Sequence, residues 1–180
     1  MVMKRTGTLE PAVNVGDDPR QYAQVLTAVY DAAMSGGRLP ARPRTVISDS
    51  WHRVQGAGVD PDVGGRDPAL DVDALVARRQ SSGLSAILPD LTRGLDAVID
   101  GGDNILVVAD AHGRVLWRNG SSRVLMRADR LGFVEGADWA ENNAGTNAIG
   151  TALASGRPVQ VFSAEHFVRS HHTWTCTGSP

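Results

Sequence analysis

Between Trp139 and Thr151 the chain reads Trp-Ala-Glu-Asn-Asn-Ala-Gly-Thr-Asn-Ala-Ile-Gly-Thr, crowding hydrogen-bonding side chains where apolar core would otherwise be built. Two further groups complete the set: Glu165 with His166, and Trp174 with Cys176 inside a Thr-Trp-Thr-Cys-Thr run. Asn and Thr at a helix entrance supply donors and acceptors, and Gly permits close backbone approach. Thr146 and Asn147, with Asn142 or Asn143, can bond a ligand at a helix N-terminus, where the dipole also favours anions, or they can cap the helix. Glu141 suits a ligand hydroxyl or amine, or an Arg or His elsewhere in the fold. Trp139 and Trp174 can line an apolar cavity with each indole N–H aimed at a partner, or can belong to the core. In an alternating strand Trp174 and Cys176 face the same side. The chemistry is that of binding.

A reaction centre is not visible. There is no phosphate-cradling loop and no nucleophile elbow, and a Cys176–His166 pair lacks the flanking sequence of a thiol enzyme. Glu165, His166, His171, His172 and Cys176 invite a metal, yet their spacing matches no compact zinc pattern. A haem held by a single histidine leaves no sequence signature, so a haem or metal redox sensor using His166 and Cys176 stays open as an alternative. No cofactor is specified.

Positioning these residues takes several elements. Tyr22, Val25, Leu26, Val29, Tyr30 and Ala33 recur at helical spacing until Gly36-Gly37 and Pro40. Pro43 opens a second helix with Val46, Ile47, Trp51 and Val54 on one face. Residues 57–72 read as a connection. A third helix carries Leu84, Ile87, Leu88, Leu91, Leu95, Val98 and Ile99, starting or kinking at Pro89 and ended by Gly101-Gly102. A hairpin follows, Ile105–Ala109 and Val115–Trp117 around Asp110–Gly113. Ser121 or Ser122 caps a short helix through Ala128; another helix holds Ala148–Leu153; Val159–Phe162 and Thr173–Thr177 are strands. Helices, a hairpin, then a helix and more strands predict an α+β fold with an antiparallel sheet.

Composition narrows the classes further. The 180 residues carry a net charge of −2, so no bulk basic field attracts nucleic acid or anionic lipid. The connection between the first two helices is too long for a helix-turn-helix, and Arg38, Arg42, Arg44 and Arg53 read as a solvated cluster. Direct nucleic-acid binding by this chain is not expected. Cys176 is the only cysteine, which excludes an intramolecular disulfide and fits a reducing compartment. Neither a signal peptide nor a membrane span is visible, and a cytoplasmic location is expected.

Gly136-Ala-Asp138-Trp139-Ala-Glu141, Gly145-Thr146-Asn147-Ala148-Ile149-Gly150-Thr151-Ala152-Leu153, Pro158-Val159, Glu165-His166 and Trp174-Thr-Cys176 occur in order. Together they resemble the GAF sensor domain of bacterial transcriptional activators, in the acetoin and glycerol or dihydroxyacetone subgroup. Ser50-Trp51-His-Arg53 and Gly58-Val-Asp60-Pro61 look like that subgroup's helical lead-in. The resemblance covers about residues 43–177 and implies a non-catalytic regulatory module on a PAS-like antiparallel sheet. It also implies further strands and an output domain after residue 180, so the sheet is expected to lack its C-terminal strands. Open strand edges would then pair with a second copy as a homodimer. The expected organisation is a flexible arm (1–19), a helical segment (20–82) and an incomplete GAF domain (83–180). Ligand-binding residues would be Trp139, Glu141, Asn143, Thr146, Asn147, His166, Trp174 and Cys176, taking a small molecule. A degenerate module that has lost its ligand and only dimerises is the remaining alternative.

Overall fold

Helix-forming segments dominate the first third of the chain, and the reason is local. The computed structural model describes residues 7–65, 67–100 and 102–180, and the first helix, α1 (Pro19–Met34), begins where Asp18 accepts the amide of Arg20. Pro19 sits at its first position, where the missing N–H is no loss. Helix α2 (Thr45–Gly56) turns Val46, Ile47, Ser50, Trp51 and Val54 inward. Arg44, not Pro43, stands at its N-cap.

The chain divides into two compact units, Met1–Arg66 with Trp139–Pro180, and Asp67–Asp138. In the first, α1 and α2 pack with α6 (Glu141–Ala144), α7 (Ala148–Ser155) and the antiparallel pair β3 (Val159–Phe162) and β4 (Thr175–Gly178). Tyr30, Ile47, Val54 and Val161 are fully buried there, at about 1.5–3 kcal/mol of stabilisation for each large aliphatic side chain. Polar ends of the buried aromatics are satisfied: Tyr30 Oη donates to the Phe167 carbonyl at 2.7 Å and Trp51 Nε1 to the Glu165 carbonyl at 3.0 Å. Inside the segment expected to be a flexible arm, Glu10 bridges Val159 in parallel, and the Ala12 amide donates to Gln160 Oε1 at 2.7 Å. Residues 1–6 of that arm lie outside the described residues.

The second unit holds α3 (Val72–Ser82), α4 (Leu88–Asp100), the hairpin β1 (Ile105–Ala109) and β2 (Val115–Gly120), and α5 (Ser122–Asp129). Helix α3 was not expected. Only Leu75 of its residues is buried, so no apolar stripe marks it, and it depends on the Asp71 cap and on Gly83 at φ 69°. Leu84 falls in a 3-10 turn, and Pro89 lies in the first turn of α4, which resolves start against kink in favour of a start. The side chain of Val98 and the stop at Gly101 lie outside the described residues. Asp110 Oδ1 organises the hairpin turn by accepting the amides of His112 (2.8 Å) and Arg114 (3.1 Å). Ser121, not Ser122, caps α5.

The fold is α+β, as expected, with every ladder between named strands antiparallel. One difference is topological. Among the described residues the four named strands form two separate two-stranded sheets, β1 pairing with its hairpin partner and β3 with β4. Strand β4 also starts one residue past Trp174, at Thr175. Among the described residues, no helix is long and apolar enough to cross a membrane.

Gly150 shows how tightly α6 and α7 meet: a Cβ there would lie 2.6 Å from the Glu141 amide nitrogen and 2.7 Å from the Trp139 carbonyl oxygen. Both are backbone atoms and cannot move alone. Gly150→Ala is therefore expected to destabilise by about 2 kcal/mol. Gly94→Ala, on α4 with nothing within 4 Å, should instead stabilise by about 0.5–1 kcal/mol. Urea unfolding of the two variants reads the opposite signs directly.

Candidate functional site

The polar residues singled out in the sequence converge in the first unit, around a hydroxyl that lies far from them in the chain. Ser50 on α2 donates to Glu141 Oε1 at 2.5 Å, so the Thr146 hydroxyl at 2.7 Å must donate to Ser50. The Thr151 hydroxyl lies 3.3 Å from Ser50 and also bonds Glu141. Ser50, Thr146 and Thr151 are all fully buried. Arg53, one turn after Ser50, grips Glu141 in a fork, Nε to Oε2 at 2.7 Å and Nη2 to Oε1 at 2.9 Å. Burial pushes the Glu141 carboxyl up, but the bonds from Arg53, Ser50 and Thr151 outweigh it and hold the carboxyl below its ordinary range.

Asn147 carries a different load. Its Oδ1 accepts the amides of Ile149 (2.9 Å) and Gly150 (3.0 Å), capping α7, while its Nδ2 donates to the carbonyls of Trp139 (2.9 Å) and Gly145 (2.7 Å). One side chain thus starts the helix and fixes the segment that carries Trp139. Gly145, at φ 71° and ψ −169°, takes a conformation essentially reserved for glycine, and Phe167 Cβ lies 2.9 Å from where its own Cβ would be. Asn143 is half-buried, and Gly65 lies so close that a Cβ on it would collide with the Asn143 amide.

The second carboxylate repeats the pattern. Arg44 forks onto Glu165, Nε to Oε1 at 2.8 Å and Nη2 to Oε2 at 2.6 Å, and the Phe162 amide donates to Oε2 at 2.9 Å. Neither Arg44 nor Arg53 is a merely solvated charge, which corrects that expectation. Their partners lie 121 and 88 residues away and no local pattern points to them.

His166 is buried, its Nδ1 2.9 Å from the Ser163 carbonyl, and burial lowers its pKa to about 3. His171 is lowered to about 4 by burial and by His172. The rings of Trp139 and His171 lie 4.9 Å apart, and His166 meets His171 edge-on at 6.2 Å. Trp174 is half-buried; its amide donates to the His171 carbonyl at 3.0 Å, and its own carbonyl accepts the Ser163 amide at 3.2 Å. Cys176 lies opposite Val161 and packs against the core, where burial pushes its thiol up to about 11. At neutral pH it is a thiol and not a nucleophilic thiolate. Among the described residues, no group of three or more His, Cys, Asp or Glu side chains is placed to hold a metal. The residues that sequence reasoning did not name as site members are Arg44, Ser50, Arg53, Thr151 and His171. Ser50 and Arg53 did appear in the lead-in motif.

An α+β scaffold with a helical lead-in, here carrying a buried polar network, agrees with the expected GAF-type sensor domain of transcriptional activators. The solved structure of the Escherichia coli DhaR(N)–DhaL complex has this fold, with a TM-score of 0.67 at 22% identity over 76% of this chain and 47% of that one. The chain belongs to the family described as MimR, N-terminal domain, which matches residues 28–180. It is 38% identical over 178 residues to an uncharacterized 47.3 kDa protein in the thcA 5' region of Rhodococcus erythropolis, covering 94% of this chain and 40% of that protein. It is 37% identical to the acetoin dehydrogenase operon transcriptional activator AcoR of Bacillus subtilis, over 78% of this chain and 23% of AcoR. Similarity to the propane 2-monooxygenase operon transcriptional activator MimR of Mycolicibacterium smegmatis is 31%, over 81% of this chain and 24% of that one. The chain thus spans less than half the length of each of these relatives.

Arg53→Ala is expected to destabilise by about 2 kcal/mol, because it strands a buried carboxylate; the figure is moderated by the exposure of Arg53. Adding Glu141→Gln should restore part of the loss, which thermal unfolding of the single and double variants measures. Acid acts through the histidines. Unfolded, each binds a proton near pH 6.5, whereas folded His171 and His166 stay neutral down to about 4 and 3. The unfolded chain therefore holds more protons below pH 6.5, and stability falls with pH by about 1 kcal/mol per unit for each histidine. The urea midpoint should drop clearly between pH 7 and pH 5; an unchanged midpoint would contradict the burial of these rings.

Proposed function

We propose that this chain is the small-molecule-binding sensor module of a transcriptional activator, with its site among Trp139, Glu141, Asn143, Thr146, Asn147, His166, Trp174 and Cys176. The observation that carries the reading is the Ser50 hub, which ties the lead-in helix α2 directly to the segment holding most of those residues. A ligand that shifts Glu141 or Thr146 changes what holds α2, giving a route from binding to a mechanical output. Only a ligand with different affinities for the two arrangements of α2 transmits anything. In this proposal the module works without catalysis: the buried carboxylates Glu141, Glu165 and Asp110 are each matched by an arginine, and Cys176 is held as a thiol.

In this proposal the helical segment 20–82 relays the signal from the GAF domain to an output domain elsewhere in the activator. Contact with DNA is left to that output domain, and the place of action is the cytoplasm. A homodimer is the working assembly in this proposal, formed by strand pairing along the two-stranded sheets, where among the described residues Glu10 meets β3 at Val159 alone.

Native mass spectrometry of the purified protein beside a denatured control tests both points. A non-covalent mass on a dimeric species is the expected result. Trp174→Ala should then lower ligand occupancy while the unfolding midpoint stays within about 1 kcal/mol of the parent, since Trp174 is half-buried. An apo protein that gives no thermal shift with any compound of a broad metabolite set would overturn the sensor reading.

A further inference from the structure

Strand β3 has β4 on one side, and on the other Glu10 bridges Val159 in parallel. The segment before α1 is lightly held there. The Ala12 amide donates to Gln160 Oε1 at 2.7 Å, and of residues 7–12 only Ala12 is buried. Pro11 explains the short contact. It keeps Glu10 extended, which suits a sheet edge, yet it has no N–H, so the ladder cannot run on through it. A single bridge on exposed backbone belongs to the part of a fold that opens at low cost.

One side chain ties this segment to the lead-in helix. Arg44 stands at the N-cap of α2, where its carbonyl accepts the amides of Ile47 (2.9 Å) and Ser48 (3.0 Å). Its guanidinium forks onto Glu165, while Nη2 also reaches the Gln160 carbonyl at 2.5 Å and Nη1 the Glu10 carbonyl at 3.4 Å. The donors of a guanidinium lie in one rigid plane, so a single orientation of Arg44 serves the carboxylate, strand β3 and Glu10 together. The first turn of α2 and the segment at Glu10 thus bear on opposite ends of one residue.

We propose that residues 7–12 are a releasable strap on the β3 edge, coupled through Arg44 to the seating of the first turn of α2. A partner that takes up extended chain and captures the strap would loosen α2 from outside the candidate site. The coupling needs no ligand and stands apart from the sensor reading.

Amide hydrogen exchange followed by 1H–15N NMR tests it. In the full chain the Ala12 amide should be protected. In a chain lacking residues 1–13, the Ile47 and Ser48 amides should exchange about fivefold faster, a coupling at the low end of the usual range because Glu165 and Gln160 still hold Arg44. The Thr151 amide, which donates to the Asn147 carbonyl in the same unit, should keep its rate. Arg44→Lys keeps the charge and loses the fork, so Ala12 should lose its protection although its own partner is Gln160. An unprotected Ala12 in the full chain, unchanged Ile47 and Ser48 rates in the shortened chain, an equal acceleration at Thr151, or a protected Ala12 in R44K would each overturn the proposal. Should either variant fail to fold, the other decides alone.

Discussion

A carboxylate taken out of water must be matched, and in this molecule that requirement organises everything around Glu141. The side chain is buried at the start of α6, where an ion left alone would be strongly destabilising. Three groups answer it: the Arg53 fork, the Ser50 hydroxyl and the Thr151 hydroxyl. Two of these come from α2, so α2 cannot leave its seat without uncovering a charge. The fork and the hydroxyl fix its register.

Glu165 does the same work from the other side of the sequence. Arg44 meets it at the entrance to α2, and the indole of Trp51 reaches the carbonyl of the same residue. The lead-in helix is therefore pinned at its N-cap by Arg44 and again near its end by Arg53, each time through a buried carboxylate. The two anchors share one condition: a satisfied buried network is stable and a partly satisfied one is not, so the loss of any one of these bonds is felt along the whole helix.

Much of this was legible in the residues. The α1 and α2 stripes and the hairpin expected over 105–117 follow from spacing and turn chemistry and form where expected, the second strand running on to Gly120; of the two readings open for Asn147, the structure shows the cap. Helix α3 escaped because Val-Asp-Ala-Leu-Val-Ala-Arg-Arg offers little periodicity and buries only Leu75. The polar clustering near residues 139–151 was visible, and so was Glu141's need of a partner. The identity of that partner was not, because nothing local to Arg53 distinguishes it from a solvated arginine. His171 was hidden for the opposite reason: it entered the reading only within a metal set whose spacing fits no compact zinc pattern, and only its burial shows a nitrogen left over.

The first unit is assembled from two stretches of chain with residues 67–138 running between them. Its defining contacts, Arg53 to Glu141 and Tyr30 to Phe167, join residues 88 and 137 positions apart. Closing loops of that length is slow, since the entropy must be lost before any contact rewards it. The second unit relieves this on its own account. The Leu70 amide donates to the Gly136 carbonyl at 3.0 Å, so once that unit folds, the two ends of the insertion are held together. A folded insertion is in that sense a clasp: with its ends tied, the stretch that the first unit must close is far shorter than the residue numbers suggest.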